Sequence, residues 1–551
     1  MFAALALLTS LIATVTALAQ PSKPPLIPRE QLFASSERED LKLSPDGVYI
    51  SFVAPWNGVD NLWVLPFDSL GKEGSSGVDA ARPVTFDQVS GVRSYEWTYL
   101  TGVVLVLQDT HGDEIFRLHK VNITNEIDGK PERTELAGEA GATVKVYPEC
   151  LSAKVPTKAL YLINDRDKRF FDVHIVDLLS GATQRLKQNG QFHYNHFIFD
   201  RDLVIRAAGG TYSDGSVRYL EMVYNSNRTQ VVTYKDYYNI SFEEVAITRF
   251  LCFDATGELL YWIDGSKGDK GQLVASPFND LKNRTVLFTP TGRVDLDVNY
   301  NVYHGVALFA HERYDRNKMT FFDERHTETF QRLAMLEPEY SPRVIHYSAD
   351  VTRWLLHFES FKPGKFYAYD AACNESYFLF DSFPKLANYS FFSPMHSLEV
   401  PTRDGRFQHC FLTLPFESDP SGSGRPNNAV PLVLEVHGGP RWRDQWKFVA
   451  KVQWLANRGY AVLQCNYRGS LSYGKEWVNL GNGQWGAKMQ DDLSDAVDYV
   501  IRENITEAGR VAISGWSYGG YATLVGLSFT PDKYACGIDM MGVSNLVTSN
   551  T

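Results

Sequence analysis

A pattern of about 50 residues recurs along residues 41–380, and it limits the possible folds more than any other feature of the chain. In each copy a turn precedes an apolar or alternating strand, and a second turn precedes another strand that ends near Asp or Asn. The clearest copy starts at Ser44-Pro45-Asp46-Gly47 and continues with VYISFVA and NLWVLPFD; seven copies can be counted. Four-stranded propeller blades have this period, so the pattern predicts a seven-bladed β-propeller over residues 41–384. A pair of β-sandwiches or an irregular all-β array is the alternative.

The periodicity changes after Pro384. Strand-like runs such as PLVLEV, YAVLQCN, RVAIS and ACGIDMM alternate with helix-like runs such as KMQDDLSDAVDYVIREN. Alternating strands and helices indicate a parallel sheet that is covered by helices on both faces. We therefore predict an α/β domain over residues 385–551 and a short N-terminal segment over residues 20–40.

The N-terminus has the features of an export signal. Residues 2–19 carry no charged side chain, and Ala17-Leu18-Ala19 matches the small-residue cleavage pattern of a signal peptide. We expect residues 1–19 to be removed and the protein to be secreted or exported to another compartment, with an uncleaved membrane anchor as the alternative. Seven N-x-S/T sequons agree with export and are candidate glycosylation sites: Asn122, Asn227, Asn239, Asn283, Asn374, Asn388 and Asn504.

Charge and composition argue against several classes of partner. A net charge of −11 does not favour nucleic acid, which binds basic surfaces. No later apolar run approaches the roughly 20 residues of a spanning helix, so we expect no stable membrane insertion. The six cysteines form no C-x-x-C pair and have no His at zinc spacing, so we expect no metal site, and we expect no cofactor. Disulfide pairing, buried free thiols and the oligomeric state stay open.

A serine nucleophile is indicated by Gly515-Trp516-Ser517-Tyr518-Gly519, which matches G-x-S-x-G. The strand RVAIS comes directly before this motif and a helix of small residues comes directly after it. A serine between a strand and a helix lies on a sharp, strained turn that exposes its hydroxyl at the edge of the sheet. Ser517 is therefore the candidate catalytic residue, and a purely structural serine is the alternative.

A glycine-rich loop, residues 437–440, follows the predicted strand PLVLEV. Backbone N–H groups of such a loop can point at the negative oxygen that forms during acyl transfer, and the N–H of Tyr518 can do the same from the start of a helix. An ordinary tight turn is the alternative. His437 lies within this loop, whereas the template takes its base histidine from a later loop, so we do not expect His437 to be the general base.

Four stretches carry a family resemblance, which is dense over residues 431–551: HGGPRWRDQW, QWLANRGYAVLQCNYRGSLSYGKEW, WGAKMQDDLSDAVDYV and GWSYGGYATLVGLSFTPDKYACGIDMMGVSNL. On these residues the chain resembles the prolyl oligopeptidase family of serine peptidases, and most of all its exported branch of acylaminoacyl-peptidase-like and dipeptidyl-peptidase-like members. The resemblance implies a propeller together with an α/β-hydrolase domain. It also implies cleavage of short peptides, because the propeller excludes folded proteins.

The same resemblance implies roles for single residues. Ser517 becomes the nucleophile, and Tyr518 supplies one oxyanion N–H. The second donor is open: acylaminoacyl-type members imply the backbone N–H of Gly439, whereas prolyl oligopeptidases proper imply a tyrosine hydroxyl, and Tyr473 matches that position. Packing is the alternative role for Tyr473. We expect Trp516 to pack beside the nucleophile turn.

The sequence has no candidate for the general base of a serine triad. The template orders its triad Ser, Asp, His, but residues 518–551 contain no histidine, and Asp532 and Asp539 lie too close to Ser517 to match the family aspartate. A serine without a base is a weak nucleophile, so we expect the 551-residue chain to be inactive by itself. Our hypothesis is a genuine peptidase whose hydrolase domain is incomplete at the C-terminus in this sequence. A naturally shortened, inactive binding protein of the same fold is the alternative.

Substrate choice is the least determined feature. An esterase of the same fold is a third interpretation, although lipases lack so large a propeller insert. Endopeptidase, dipeptidyl-peptidase and acylaminoacyl-peptidase modes all stay open. A dipeptidyl peptidase needs propeller carboxylates to hold the substrate amine, and the adjacent pair Glu243-Glu244 fits only if it lies outside a strand, because neighbouring strand residues point to opposite faces. A solvated pair is the alternative.

Overall fold

The structure is a computed structural model that describes residues 23–72, 77–138, 141–190, 193–227, 230–297 and 302–549. The predicted signal peptide, residues 1–19, lies outside the described residues. The chain forms two compact units. The first, called the propeller unit below, contains residues 35–387 and 469–482; the second, called the hydrolase unit, contains residues 23–34, 388–468 and 483–549 of the described part.

Among its described residues, the propeller unit contains six four-stranded antiparallel sheets, each built from consecutive strands. The strands, sheet by sheet, are Glu39–Leu43, Tyr49–Trp56, Val59–Pro66 and Arg82–Pro83; Val92–Trp97, Val103–Gln108, Arg117–Ile127 and Lys130–Ala137; Val144–Lys145, Lys158–Asp167, Phe170–Asp177 and Thr183–Lys187; Tyr194–Phe199, Ile205–Thr211, Val217–Tyr224 and Val231–Ile240; Arg249–Phe253, Leu259–Asp264, Gln272–Pro277 and Thr285–Phe288; Ser341–Tyr347, Arg353–Glu359, Lys365–Asp370 and Glu375–Asp381. The predicted β-propeller is confirmed.

The sixth of the seven sequence repeats has a different local structure. Among the described residues it forms two two-stranded ladders, Val302–Tyr303 with Val306–Ala307 and Phe309–Arg313 with Asn317–Phe321. The helix Glu324–Ala334 follows directly. The Asp323 side chain accepts a hydrogen bond from the backbone N–H of Arg325 and so caps this helix.

Local turn chemistry explains why the repeats are visible in the sequence. In the first blade the Ser44 hydroxyl donates to the Asp46 carboxylate, and the N–H of Gly47 donates to the Ser44 carbonyl. The last blade repeats this turn: the Ser348 hydroxyl donates to Asp350 at 2.5 Å. Short polar side chains that bond to their own backbone favour such turns over continued strand.

The first and last blades contact each other without exchanging a strand. Arg353 of the last blade donates to the Gly47 carbonyl at 2.9 Å and to the Asp68 carboxylate at 2.5 Å, both in the first blade. An apolar cluster that includes Leu43 and Phe52 from the first blade, and Leu355 from the last, lies behind these contacts. Side-chain packing, the Arg353 contacts and a backbone hydrogen bond from the Ala349 N–H to the Pro45 carbonyl at 2.8 Å therefore join the two blades.

The hydrolase unit is built on one six-stranded sheet. Across the sheet, its strands are Met395–Pro401, Phe407–Thr413, Ala461–Asn466, Leu432–Val436, Val511–Trp516 and Cys536–Met540. The first two strands are antiparallel to their neighbours and the other pairings are parallel. Cys536–Met540 is the edge strand, and its Ile538 is 57% exposed.

Helices and short turns complete both units. The hydrolase unit has the helices Arg29–Leu32, Ala450–Ala456, Lys488–Arg502, Tyr518–Phe529 and Leu546–Ser549, with 3-10 turns at Phe416–Ser418 and Pro531–Lys533; the propeller unit also has the helix Lys475–Asn479 and 3-10 turns at Phe67–Ser69, Pro148–Cys150 and Pro384–Leu386. The predicted amphipathic helix is Lys488–Arg502, whose Leu493, Val497 and Val500 are fully buried against the sheet.

A buried ion pair fixes this helix to the sheet. Arg468, 1% exposed, follows the strand Ala461–Asn466 and makes two side-chain hydrogen bonds to the Asp492 carboxylate, at 2.6 and 2.8 Å. Its other guanidinium contacts go to Asp404, and they hold the pKa of that carboxyl well below its usual range. Buried charges of this kind are tolerated only when paired and hydrogen-bonded, as they are here.

Several sequence features can be located on these units. A disulfide joins Cys410 and Cys465, which are buried partners on adjacent strands with Cα atoms 4.0 Å apart. Six of the seven sequon asparagines are exposed, and the seventh, Asn122, is half-buried. Within the described ranges, no helix has the length and apolar character needed to cross a bilayer.

Candidate active site

Ser517 lies at the junction that its motif predicts. It follows the strand Val511–Trp516 directly and is the N-cap residue of the helix Tyr518–Phe529. Its backbone has φ +59° and ψ −117°, a strained conformation for a residue with a side chain. The N–H of Ser517 donates to the Met540 carbonyl and its own carbonyl accepts from Tyr521, so hydrogen bonds on both sides hold the turn.

Glycines allow the strand and the helix to meet at this turn. A Cβ on Gly519 would lie 2.0 Å from the Val436 carbonyl oxygen, and a Cβ on Gly515 would lie 2.4 Å from the carbonyl carbon of Gly519. Neither distance is possible for a side chain. The glycines of the motif are therefore required by close backbone packing.

The glycine-rich loop lies beside the serine. The strands Leu432–Val436 and Val511–Trp516 are parallel neighbours, with Val436 opposite Gly515. Both turns therefore follow the carboxyl ends of adjacent strands, at the same edge of the sheet. A Cβ on Gly438 would be 3.4 Å from Cβ of Ser517. The next residue, Gly439, has φ +117°, which only glycine adopts readily.

Tyr518 places its backbone and its side chain in different environments. As the first residue of a helix, its N–H has no acceptor within that helix, and the helix dipole favours negative charge there. Its ring is buried and packs on Tyr467 and Trp485, with centroids 5.5 and 4.7 Å away. The N–H can therefore serve an anion while the ring fixes the turn.

His437 is held neutral in the loop. Its imidazole is buried and stacks on the Tyr467 ring at 4.4 Å, and its Nδ1 lies 2.9 Å from the Gly438 carbonyl oxygen. The Tyr467 hydroxyl donates to the His437 carbonyl at 2.8 Å. Burial lowers the pKa of His437 to about 4. These contacts support a structural role for this histidine, in agreement with the expectation that it is not the base.

Asp444, four residues after Pro440, has a buried carboxylate that no sequence pattern predicted. Burial, together with the nearby Glu435 carboxylate, raises the pKa of the Asp444 carboxyl to about 7. Asp444 accepts from Gln464 at 2.8 Å, and its backbone N–H donates to Asn466 at 2.7 Å. It lies in the RWRD string that carries the family resemblance, but no spacing rule marks a single aspartate there as buried.

Tyr473 belongs to the propeller unit, although its sequence position falls between two strands of the hydrolase sheet. Its ring packs edge-on against Tyr314 with centroids 6.2 Å apart. Ser517, Tyr518 and Gly439 share the hydrolase unit, and Tyr473 is the one candidate oxyanion residue outside it.

The remaining candidates are placed as follows. Glu243 and Glu244 lie in a helical turn rather than a strand, since the N–H groups of Glu244 and Val245 both donate to the Ser241 carbonyl. The sequence condition for a shared amine site is therefore met. The Trp516 side chain, at the end of the strand, is 57% exposed, which differs from the packed position expected for it.

Neither downstream aspartate is positioned as a triad acid by the described contacts. Asp539 lies on the edge strand next to Ser517's own, and its carboxylate accepts from the Gly542 N–H at 2.8 Å. Asp532 lies in the 3-10 turn Pro531–Lys533. In the part of the chain that the structure describes, no group of three His, Cys, Asp or Glu side chains is arranged to hold a metal ion.

Comparison with known proteins agrees with this geometry. Residues 446–551 match the model of the prolyl oligopeptidase family. The chain is 35% identical over 525 residues to dipeptidyl aminopeptidase BIII of Pseudoxanthomonas mexicana, covering 95% of this chain and 72% of the relative. The chain belongs to the prolyl oligopeptidase family. The resemblance seen in the sequence is thereby confirmed, and the protein is a serine peptidase by family membership.

Two further comparisons extend over most of the chain. Dipeptidyl peptidase family member 6 of Caenorhabditis elegans is 31% identical over 543 residues, covering 95% of this chain and 71% of the relative. The structure of a Mycobacterium tuberculosis puromycin-hydrolyzing peptidase superimposes with a TM-score of 0.70 at 17% identity, covering 96% of this chain and 81% of the other. The latter supports the fold: a propeller plus a hydrolase domain.

We expect His437 to make stability depend on pH. Its folded pKa of about 4 lies below the ordinary value of 6.5, so between these values the unfolded chain binds the proton more readily. The contribution is complete above pH 6.5 and is lost as the pH falls toward 4. Denaturant unfolding of wild type and His437→Gln at pH 7.5 and 4.5 should show a smaller loss in the variant, by up to about 3 kcal/mol.

An equal loss of stability in both proteins would contradict this assignment. Should His437→Gln not fold, NMR titration of the His437 imidazole in the wild-type protein measures the pKa directly, and a value near 6.5 would also be contradictory.

Proposed function

We propose that the protein hydrolyses short peptides through Ser517 as the nucleophile and an acyl-enzyme intermediate. One observation carries the proposal: the strained Ser517 turn and the Gly438–Gly439 loop lie at the same edge of a parallel sheet, with a helix N-terminus at Tyr518. This is the arrangement that exposes a serine hydroxyl beside backbone anion donors.

In the proposed reaction the Ser517 Oγ attacks the carbonyl carbon of the scissile amide and loses its proton to a general base. The carbonyl oxygen becomes an oxyanion, which accepts from the Tyr518 N–H and from a second donor. Collapse of this intermediate breaks the C–N bond, and the proton passes to the departing amine. Water then attacks the acyl-enzyme by the same steps and releases Ser517.

The second oxyanion donor has two candidates. The Gly439 N–H is supported by its place in the loop beside Ser517. The Tyr473 hydroxyl is supported by its sequence position after NYRG. Since no histidine follows Ser517 in this sequence, we assign only the nucleophile and the oxyanion donors to residues of this chain.

A fluorophosphonate reagent tests the nucleophile. We expect the native gene product to be labelled on the peptide that contains Ser517, because phosphonates react with activated serines. Ser517→Ala should lose both the label and hydrolysis, while Ser514→Ala, three residues earlier on the same strand, should keep the label. A folded native product without label would favour the non-catalytic binding protein, and turnover of esters but not peptides would favour an esterase.

We propose in addition that the substrates are peptides with a free N-terminus, cleaved after the second residue. Dipeptidyl aminopeptidase BIII and dipeptidyl peptidase family member 6 are similar to this chain over 95% of its length. The helical turn at Glu243 and Glu244 keeps both residues out of a strand, which supports pairing of either carboxylate with a substrate ammonium. The Glu244 carboxylate also lies 3.7 Å from the Lys475 ammonium, so the exposed Glu243 is the stronger candidate.

Dipeptidyl amide substrates test this specificity. We expect hydrolysis of a free-amine dipeptidyl fluorogenic amide and at least about tenfold slower hydrolysis of its N-acetyl form, since a lost charge pair costs more than about 1.4 kcal/mol. Glu243→Gln should raise KM for the free-amine substrate only. Glu258→Gln, an exposed glutamate elsewhere in the propeller unit, is the control. Equal rates on free and acetylated substrates would contradict the proposal.

We propose that the protein is exported. Six exposed sequon asparagines and the Cys410–Cys465 disulfide support this, because disulfides persist mainly in oxidising compartments. In a eukaryotic host that secretes the protein, we expect an N-terminus at Gln20 and a loss of mass on treatment with an N-glycosidase. Retention in the cytosol without glycan would refute export.

A further inference from the structure

Several hydrogen bonds fix the segment 469–482 to loops of the propeller unit. The Lys475 ammonium donates to the Gly265 carbonyl at 2.7 Å, and the Asn479 amide donates to the Glu243 carbonyl at 2.9 Å. These bonds lie within the propeller unit. They explain why this segment belongs to the propeller unit, although the strands before and after it in sequence belong to the hydrolase sheet.

Asp295 holds the backbone on both sides of Tyr473. Its N–H donates to the Ser472 carbonyl at 2.9 Å, and its carboxylate accepts from the Gly474 N–H, also at 2.9 Å. The Asp295 side chain is buried, and burial raises its pKa to about 6. A buried carboxyl group is costly unless it is hydrogen-bonded, and the Gly474 N–H supplies such a bond.

Asp269 holds the residues that follow. Its carbonyl accepts from the Lys475 N–H and its carboxylate from the Glu476 N–H, both at 2.8 Å, at the start of the helix Lys475–Asn479. Gly474 has φ +92°, and a Cβ there would lie 2.0 Å from the Asp269 carboxylate. No side chain other than hydrogen is compatible with this contact.

The turn itself is strained and over-determined. Ser472 has φ +72°, in the left-handed region that serine rarely adopts, and Gly474 is also at positive φ. A serine in this conformation persists only where surrounding contacts fix it, whereas Gly474 adopts positive φ freely. Asp295 and Asp269 supply those contacts.

We propose that Asp295 and Asp269 are positioning residues that set the direction of the Tyr473 side chain for catalysis. The inference rests on the proposed function, in which Tyr473 is one of the two candidates for the second oxyanion donor. An oxyanion donor must lie about 2.7–3.1 Å from the developing charge, so its backbone has to be held rigidly. A displacement of about 1 Å can cost a factor of 100 in rate. In this chain that rigidity comes from propeller carboxylates far from Tyr473 in sequence.

A double-mutant cycle with Asp295→Ala and Tyr473→Phe, in the active native gene product, tests the proposal. We expect Tyr473→Phe to lower kcat by about 100-fold or more and Asp295→Ala to lower it by about 10-fold or more, with little change in KM. In the Tyr473→Phe background, Asp295→Ala should add little, because its effect passes through the lost hydroxyl. Asp295→Asn keeps an oxygen acceptor for Gly474 and should restore most of kcat.

Hydrogen exchange gives a readout that does not depend on activity. We expect the amides of residues 472–476 to exchange faster in Asp295→Ala than in wild type. Asp254→Ala is the matched control: Asp254 also accepts backbone N–H groups, those of Glu258 and Leu259, but within its own turn. It should leave kcat and the 472–476 exchange unchanged.

The outcomes separate the inference from the proposed function. Unchanged kcat in Tyr473→Phe would refute the role of Tyr473, and the inference with it, while leaving Gly439 as the donor. A large effect of Tyr473→Phe combined with unchanged exchange and kcat in Asp295→Ala would refute the inference alone. Fully additive losses in the double variant would likewise refute it, because Asp295 would then act by another route.

Discussion

The backbone at Ser517 is the constraint on which the rest of the proposed catalytic arrangement depends. A serine at φ +59° is unfavourable, and it persists here because a strand, a helix and the neighbouring strand's carbonyl meet with only glycine hydrogens between them. The same close approach directs the helix N-terminus and the Gly438–Gly439 loop to one edge of the sheet. Exposure of the hydroxyl and the supply of anion donors are thus two results of a single packing requirement.

Polar groups next to these loops stabilise them through hydrogen bonds. His437 is neutral through burial and stacking, and Tyr467 bonds to its carbonyl. Asp444 fixes the end of the loop through Gln464 and Asn466, and Arg468 fastens the next helix through Asp492. Each of these side chains makes at least one hydrogen bond or ion pair, which offsets part of the cost of its burial. The outcome is a rigid frame around the backbone N–H groups.

The propeller unit contributes more than a ring of blades. Its loops hold the segment 469–482, which the chain contributes from between two hydrolase strands, and they fix the Tyr473 turn by hydrogen bonds to backbone atoms. Because these hydrogen bonds are made to backbone N–H groups, they fix the backbone conformation of the turn whatever side chains it carries.

The sequence by itself determined the features that depend on local interactions. The Ser-Asp turns and strand lengths predicted the blades, and the G-x-S-x-G string predicted the Ser517 turn and its glycine contacts, because both are encoded within a few consecutive residues. Only the tertiary structure decided that Cys410 pairs with Cys465, that His437 is buried and neutral, and that Tyr473 lies in the propeller unit. Where the sequence predicted a sixth four-stranded blade, the described residues form two short ladders and a helix. These features depend on contacts between residues far apart in sequence, and no pattern in a single chain reports which distant groups burial and backbone hydrogen bonds will bring together.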